Sequence, residues 1–235
     1  MGNLRGKIFS VSALFLQVKI VLMYHPATVL VRYQVMKELW NWRRCKAKIR
    51  SLKGRLGFSE EPVLKFLGLS LYLEDGSVYD DLRICALKQE RILSDIYCIL
   101  FSYADAKPTP EASKLITSKQ LQGGQYCNVM VQRAKSSIQN VFGSRSKLLI
   151  QCTKLLGGSK ANFSYGDQSV RINSLPLVPL TIVLSEEDAE LPASAQIFFD
   201  ESITHYLALE QVGMLSGLTA ERLKQAYECL DKKRE

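Results

Sequence analysis

The sequence contains one strand-like segment that is apolar on both sides, residues 178–184, Val-Pro-Leu-Thr-Ile-Val-Leu. A half-exposed strand alternates apolar and polar residues, whereas a strand buried on both faces reads as a nearly continuous apolar run. Pro179 cannot donate a hydrogen bond within a ladder, so it marks the start of this strand. The segment therefore predicts the central strand of a sheet.

Turn residues separate further strands from this one. Residues 63–73 are compatible with a strand and end at Glu74-Asp75-Gly76, which is a hairpin signal, so residues 77–86 are predicted to return antiparallel to them. Two more strands are predicted at residues 170–174 and 195–200.

Apolar periodicity also predicts helices, over residues 89–103, 125–141, 147–156 and 208–230. Gly157-Gly158 lies where a glycine commonly ends a helix. The last helix contains Gly213 and Gly217, and a break is predicted near Leu218-Thr219, with Thr219 and Arg222 around a new N-cap.

These elements describe a single α+β domain, with a small sheet packed against several helices. The chain has 235 residues, of which 47% are hydrophobic and 23% charged, so it can bury one sizeable core and is neither collagen-like, coiled-coil nor disordered. We expect this domain to span residues 58–235, preceded by a basic, helical extension over residues 1–57.

The formal net charge of +8 is unevenly distributed. The first 58 residues hold twelve Lys or Arg and one acid, Glu38, so this piece carries +11 and the remainder carries 8 − 11 = −3. The charge of the body thus gives no reason to expect a nucleic-acid or membrane partner.

The change in composition along the chain also raises the hypothesis that translation starts at Met23 or Met36. This leaves open whether residues 1–35 belong to the native protein.

The extension has two parts. Residues 8–18 are apolar, but Lys19 interrupts the run and no small-residue cleavage site follows, so neither export nor membrane anchoring is expected, and we predict a cytoplasmic protein. Residues 36–53 lack Pro and Gly and are predicted to be helical. Three interpretations remain open for this basic helix: binding of anionic lipid, binding of nucleic acid through residues 37–55, or a solvated helix that packs Leu39 and Trp42 on the body.

The strongest catalytic candidate is the loop after the last strand, Asp200 to His205. Two acids, a hydroxyl and an imidazole lie within six residues there, so Asp200, Ser202 and His205 are the candidate catalytic residues. No G-x-S-x-G elbow presents Ser202. The alternative is that Asp200 caps the following turn while His205 packs with Tyr206.

The six cysteines do not form a metal motif. They are far apart in the sequence and include no C-x-x-C pair, and the two histidines have no metal-ligand spacing. We therefore expect reduced, buried thiols, predict no metal site and identify no cofactor.

Several segments of the body resemble a known family in their residues and order. They are Gly123-Gly124 with Tyr126, Leu156-Gly157-Gly158, and residues 175–180, 194–200 and 205–207. From Phe66 onward the chain resembles an uncharacterised prokaryotic family of domains of unknown function that is common in anaerobes.

The resemblance implies a relative and no reaction. Some members are described as putative iron–sulphur proteins because a cysteine-rich module precedes the domain, but that region here holds only Cys45, so the cluster is not carried over. The family usually has Phe-Arg-Asp-Leu-Pro before the double glycine, where this chain has residues 118–122, Ser-Lys-Gln-Leu-Gln.

Three functions follow as hypotheses. The preferred one is a non-catalytic accessory domain that binds a partner protein or a small ligand. The alternative is a metal- or cofactor-dependent enzyme that uses the Asp200–His205 loop, for which the resemblance suggests anaerobic one-carbon or corrinoid metabolism. The weakest is nucleic-acid binding through residues 37–55.

Overall fold

The computed structural model describes residue 34 and residues 36–231, so the apolar run at residues 8–18 and the alternative start at Met23 lie outside the described residues. The elements, in chain order, are α1 (Trp42–Arg50), β1 (Val63–Phe66), β2 (Leu69–Tyr72), β3 (Val78–Asp80), β4 (Cys85–Ala86), α2 (Glu90–Tyr103), β5 (Leu115–Ile116), α3 (Gln125–Phe142), α4 (Ser146–Leu155), β6 (Ser159–Lys160), β7 (Gln168–Leu175), β8 (Val178–Ser185), β9 (Ser194–Asp200), α5 (Ile203–Tyr206) and α6 (Leu209–Asp231). The predicted α+β class is confirmed.

The strands divide between two antiparallel sheets, where the sequence suggested one. The first has the order β1-β2-β3-β4 and the second has the order β5-β9-β8-β7-β6. Helices α3 and α4 contact β9 and β7, and α6 packs along α3. One face of the five-stranded sheet therefore lies under helices.

Strand β8 is the central strand, as its apolar pattern predicts. It pairs with β7 and β9, and every residue in it except Ser185 is buried. The face away from the helices is covered by an irregular segment, in which Phe163 stacks on Phe198 with ring centroids 5.0 Å apart and Gly166 lies against Val183. Burial on both faces explains why this strand does not alternate.

The segment at residues 63–73, predicted as one strand, is two. Strands β1 and β2 pair antiparallel with Phe66 opposite Leu69, and the turn between them is Leu67-Gly68. Both turn residues have positive φ, 50° for Leu67 and 66° for Gly68, as a two-residue hairpin of the primed type requires. The hairpin predicted at Asp75-Gly76 is present and joins β2 to β3.

The break predicted in the last helix is wrong. Helix α6 is continuous from Leu209 to Asp231, and Thr219 lies in its interior, where its hydroxyl donates to the carbonyl of Leu215 at 2.8 Å. The hydroxyls of Ser174 on β7 and Thr219 are also 2.8 Å apart and hydrogen bonded. Burial of this helix outweighs the low helix propensity of its glycines.

Helix α1 contributes to the same core as the rest of the chain. Cys45 and Ile49 are buried on it, and Leu52, Leu56 and Phe58 are buried in the turns that follow. The hydroxyl of Tyr103 on α2 donates to the carbonyl of Leu56 at 2.8 Å. The boundary predicted at residue 57 stays a prediction, and the basic helix is part of the packed structure.

Among the residues that the structure describes, residue 34 and residues 36–231, no helix is both long and apolar enough to cross a membrane.

Candidate functional site

Asp200 ends β9 and is 3% exposed. Its Oδ1 accepts three hydrogen bonds: from the N–H of Ala112 at 2.9 Å, from the N–H of Ser202 at 3.0 Å and from the hydroxyl of Ser202 at 2.5 Å. Burial alone raises the pKa of this carboxyl, but the hydrogen bonds from Ser202 and Ala112 outweigh it and hold the pKa below its ordinary value. The carboxylate therefore fixes the turn through its Oδ1.

The three candidate catalytic residues are only partly brought together. Ser202 is buried and its hydroxyl donates to Asp200, so it does not present a nucleophile to solvent. His205 lies on the following turn with an exposed side chain, and no hydrogen bond from its imidazole to Asp200 or Ser202 is found in the part of the chain that the structure describes. This geometry favours the capping interpretation, in which Asp200 holds the loop.

We expect Asp200→Asn to lower the free energy of unfolding at pH 7 by about 1–2 kcal/mol, because charge-assisted hydrogen bonds become neutral ones. The pKa of Asp200 is depressed in the folded state, so its stabilisation is complete above the unfolded pKa of about 3.9 and is lost as pH falls through the folded pKa. Urea unfolding of both proteins should therefore show the difference at pH 7 and a smaller one at pH 3.

The matched control for this prediction is Glu201→Gln. Glu201 is the next residue, is exposed, and pairs with Lys114 at 2.7 Å, so its loss should cost less than about 1 kcal/mol. Equal stability of Asp200→Asn and the unsubstituted protein at pH 7 would show that Asp200 does not hold the turn, and would return it to the catalytic candidates.

Helix α1 presents opposite chemistries on its two sides. Trp42, Cys45, Ile49 and Leu52 follow one another at spacings of three and four residues and face the body, and Asn41 caps the helix by accepting from the N–H of Arg44 at 3.2 Å. The opposite side of α1 is exposed and carries cations, and two more cations, Lys53 and Arg55, lie in the turns that follow. We call these six side chains the cationic face: Arg43, Arg44, Lys46, Arg50, Lys53 and Arg55.

Among the described residues, no carboxylate lies within ion-pair distance of the cationic face. Lys48, on the same helix, pairs with Asp105, but no member of the cationic face forms an ion pair with any residue the structure describes. Arg50 donates to the carbonyls of Leu73 at 2.7 Å and Glu74 at 2.6 Å, which fixes the helix against the turn between β2 and β3 while leaving the positive charge in place. Six exposed cations therefore lie close together without an ion-pair partner among the described residues.

Both tryptophans of this segment point inward. Trp40 packs edge-on against Phe101 with centroids 5.5 Å apart, and its Nε1 is buried. Trp42 lies against Gly76, where a Cβ would come within 2.1 Å of its ring, and its ring centroid is 6.1 Å from that of Tyr97. Of the interpretation that packs Leu39 and Trp42 on the body, the part that concerns Trp42 is confirmed. The lipid-binding interpretation is disfavoured, because an interfacial helix needs an exposed apolar side.

One open groove lies on the surface of α3. It has a volume of about 580 Å³ and is lined by side chains of that helix alone, from Asn128 to Asn140. Small-molecule sites enclose most of their ligand between several elements and gather a few convergent polar groups. The groove meets neither condition, so it is not our candidate site.

The six cysteines lie on six different helices and strands. Cys45, Cys98, Cys127 and Cys152 are buried, whereas Cys85 is exposed. Burial raises the pKa of Cys45 to about 11 and that of Cys98 to about 12, so both are protonated at neutral pH. Among the described residues, no three or more His, Cys, Asp or Glu side chains are grouped in a way that could hold a metal ion.

The sequence interpretation missed a buried ion pair. Arg222 on α6 and Asp80 at the end of β3 are each 2% exposed and meet in a bidentate contact of 2.7 and 2.9 Å. The guanidinium also donates to the carbonyls of Leu67 and Gly68, and to Gln225. A charged residue inside an apolar helical pattern was the available signal, but nothing in the sequence identifies its partner.

A protein-family model described as Domain of unknown function (DUF3786) matches residues 63–222. The match includes both sheets, Asp80, Arg222 and the Asp200 loop, and begins after α1. No match was found among curated proteins or solved structures.

Proposed function

The chain belongs to the DUF3786 family of domains of unknown function, and we propose that it is a non-catalytic, cytoplasmic accessory module that binds a polyanionic partner. The binding surface is the cationic face. This combines the preferred hypothesis, a binding domain, with the segment that the sequence singled out for its charge.

The observation that carries the proposal is that no member of the cationic face forms an ion pair with any of the described residues. Arg43, Arg44 and Lys46 are exposed and form no ion pair there, although the helix that carries them is firmly packed through Ile49 and Leu52. Like charges held close together repel each other, so binding of an anion relieves a repulsion that the folded chain otherwise retains.

The loop at Asp200 supports the non-catalytic part of the proposal. The carboxylate of Asp200 accepts from the hydroxyl of Ser202 and from the N–H groups of Ser202 and Ala112, which accounts for both side chains without a substrate. The enzyme hypothesis stays a prediction, and with it the anaerobic context and the iron–sulphur association. Turnover of a metabolite by the purified protein that is lost in His205→Ala would overturn our preference.

We expect the full chain to bind polyglutamate and inorganic polyphosphate, with an affinity that falls as salt concentration rises. The triple variant Arg43→Gln/Arg44→Gln/Lys46→Gln should bind at least about tenfold more weakly, since each cation near a polyanionic surface contributes on the order of 1 kcal/mol. Fluorescence anisotropy with labelled polymers measures both effects.

The matched control removes three charges elsewhere. Lys65, Lys107 and Lys154 are exposed and lie outside the cationic face, so Lys65→Gln/Lys107→Gln/Lys154→Gln has the same net charge as the test variant. It should retain most of the affinity. Equal losses in the two variants would mean that overall charge, and no particular surface, determines binding, and the proposal would fail.

A further inference from the structure

We infer that the partner of the cationic face is the phosphate backbone of duplex nucleic acid, bound without regard to base sequence. This inference rests on the proposed function and narrows it to one class of polyanion. Three features of the cationic face support it: the spacing of its charges, the orientation of the neighbouring aromatic residues, and the lack of apolar side chains on it.

The charges of the cationic face form a line. Arg43, Lys46 and Arg50 follow at spacings of three and four residues, which places them on one side of α1 over about 10 Å at about 1.5 Å per residue. Duplex DNA carries about one negative charge per 1.7 Å of axis, so about six phosphates lie along that length. A short row of cations therefore meets an excess of closely spaced anions.

The inward orientation of the tryptophans excludes them from contact with bases. Proteins that bind single strands rely on aromatic rings on which the bases stack. Trp40 packs against Phe101. Trp42 packs against Gly76 and Tyr97, and the guanidinium of Arg50 lies over its ring, so both rings are already occupied by contacts within the protein. Contacts from this face are thus made to phosphates, which position a duplex without reading its sequence.

The lack of apolar anchors on the cationic face argues against a protein partner. Stable protein interfaces depend on a few buried aromatic or aliphatic side chains near their centre. Between Arg43 and Arg50, the only exposed apolar side chain is that of Ala47. A backbone of phosphates needs no such anchor, because release of counterions drives its binding.

Anisotropy titrations of the full chain would test the inference, with two duplexes of unrelated sequence, a single strand of the same length, polyglutamate and phosphatidylserine vesicles. We expect equal affinity for the two duplexes and at least about tenfold weaker binding to polyglutamate, whose charges are less dense. For the duplex, the triple variant at Arg43, Arg44 and Lys46 should reduce the slope of log K against log salt by up to about 2.7, because each lost phosphate contact removes about 0.9. The control at Lys65, Lys107 and Lys154 should keep the slope.

Other results would overturn the inference, the proposed function or both. Tighter binding to vesicles, to polyglutamate or to the single strand than to the duplex would overturn the inference. If the triple variant also bound those probes more weakly, the proposed polyanion-binding function would stand although the inference of a duplex partner had failed. If the triple variant bound every probe as well as the unsubstituted chain, both the inference and the proposed function would fail. Circular dichroism and unfolding of the triple variant should match those of the control, which separates loss of binding from loss of fold.

Discussion

Replacing Arg222 with methionine should lower the free energy of unfolding by about 3–5 kcal/mol, because it leaves the buried carboxylate of Asp80 without its partner. The five guanidinium N–H groups are satisfied by Asp80, Gln225, Leu67 and Gly68. Methionine also removes the donors that hold the two turn carbonyls between β1 and β2. Urea unfolding measured by circular dichroism gives the free energy directly.

Arg222→Lys tests the same contact with less risk of unfolding. An ammonium group keeps the charge but cannot make the bidentate contact, so we expect an intermediate loss. The control is Arg83→Met, which breaks an exposed pair with Glu228 at 2.5 Å and should cost less than about 1 kcal/mol. If Arg222→Lys and Arg83→Met were equally mild, the buried pair would not contribute as we describe.

The pair also makes stability depend on pH. Burial raises the pKa of Asp80, but the hydrogen bonds and charge of Arg222 outweigh it, and the folded-state pKa lies below its ordinary value. The stabilisation from Asp80 is therefore complete above the unfolded pKa of about 3.9 and declines as pH falls through the folded value. The part of the pH dependence that comes from Asp80 should be missing in a variant in which Asp80 and Arg222 are both replaced by apolar residues.

The second large effect is expected at Gly124, where Gly124→Ala should cost about 3 kcal/mol or more. Gly124 is the N-cap residue of α3, and a Cβ there would lie 1.7 Å from the carbonyl oxygen of Ser118 and 2.9 Å from that of Leu121. Both obstacles are backbone atoms, which cannot rotate away as a side chain can. The substitution must therefore displace the loop at residues 118–124 or the start of the helix.

Gly217→Ala is the matched control for this prediction. Gly217 lies within α6, and a Cβ there would meet nothing within 4 Å. Because alanine favours helix over glycine, this variant should gain about 0.5–1 kcal/mol. A loss of less than about 1 kcal/mol in Gly124→Ala would show that the loop yields easily and that the close approach to Ser118 is not a constraint.

The sequence predicted those elements whose patterns are local. The apolar run of β8 and the periodicity of α2, α3 and α4 are visible in single segments, and the structure confirms each. The turn at Leu67-Gly68 was missed because leucine gives no turn signal inside an apolar run. Its left-handed conformation is supported by Arg222, which donates to the Leu67 carbonyl from 155 residues away.

In the candidate site, too, only the features with a local sequence pattern could be predicted. The inward side of α1 could have been read from the spacing of Trp42, Cys45, Ile49 and Leu52, had cysteine been counted as apolar. The role of Asp200 depends on the N–H of Ala112, 88 residues earlier, and no periodicity reveals such a contact. Whether a cation is neutralised also depends on distant acids, so the exposed charge of the cationic face became evident only in three dimensions.

The inward packing of α1 has a consequence for the region that the family model matches. The match begins at Val63, yet Ile49, Leu52 and Leu56 fill the core beside α2. In this chain the matched region alone would leave that apolar surface exposed to water. The segment that carries the cationic face therefore also closes the core of the matched region.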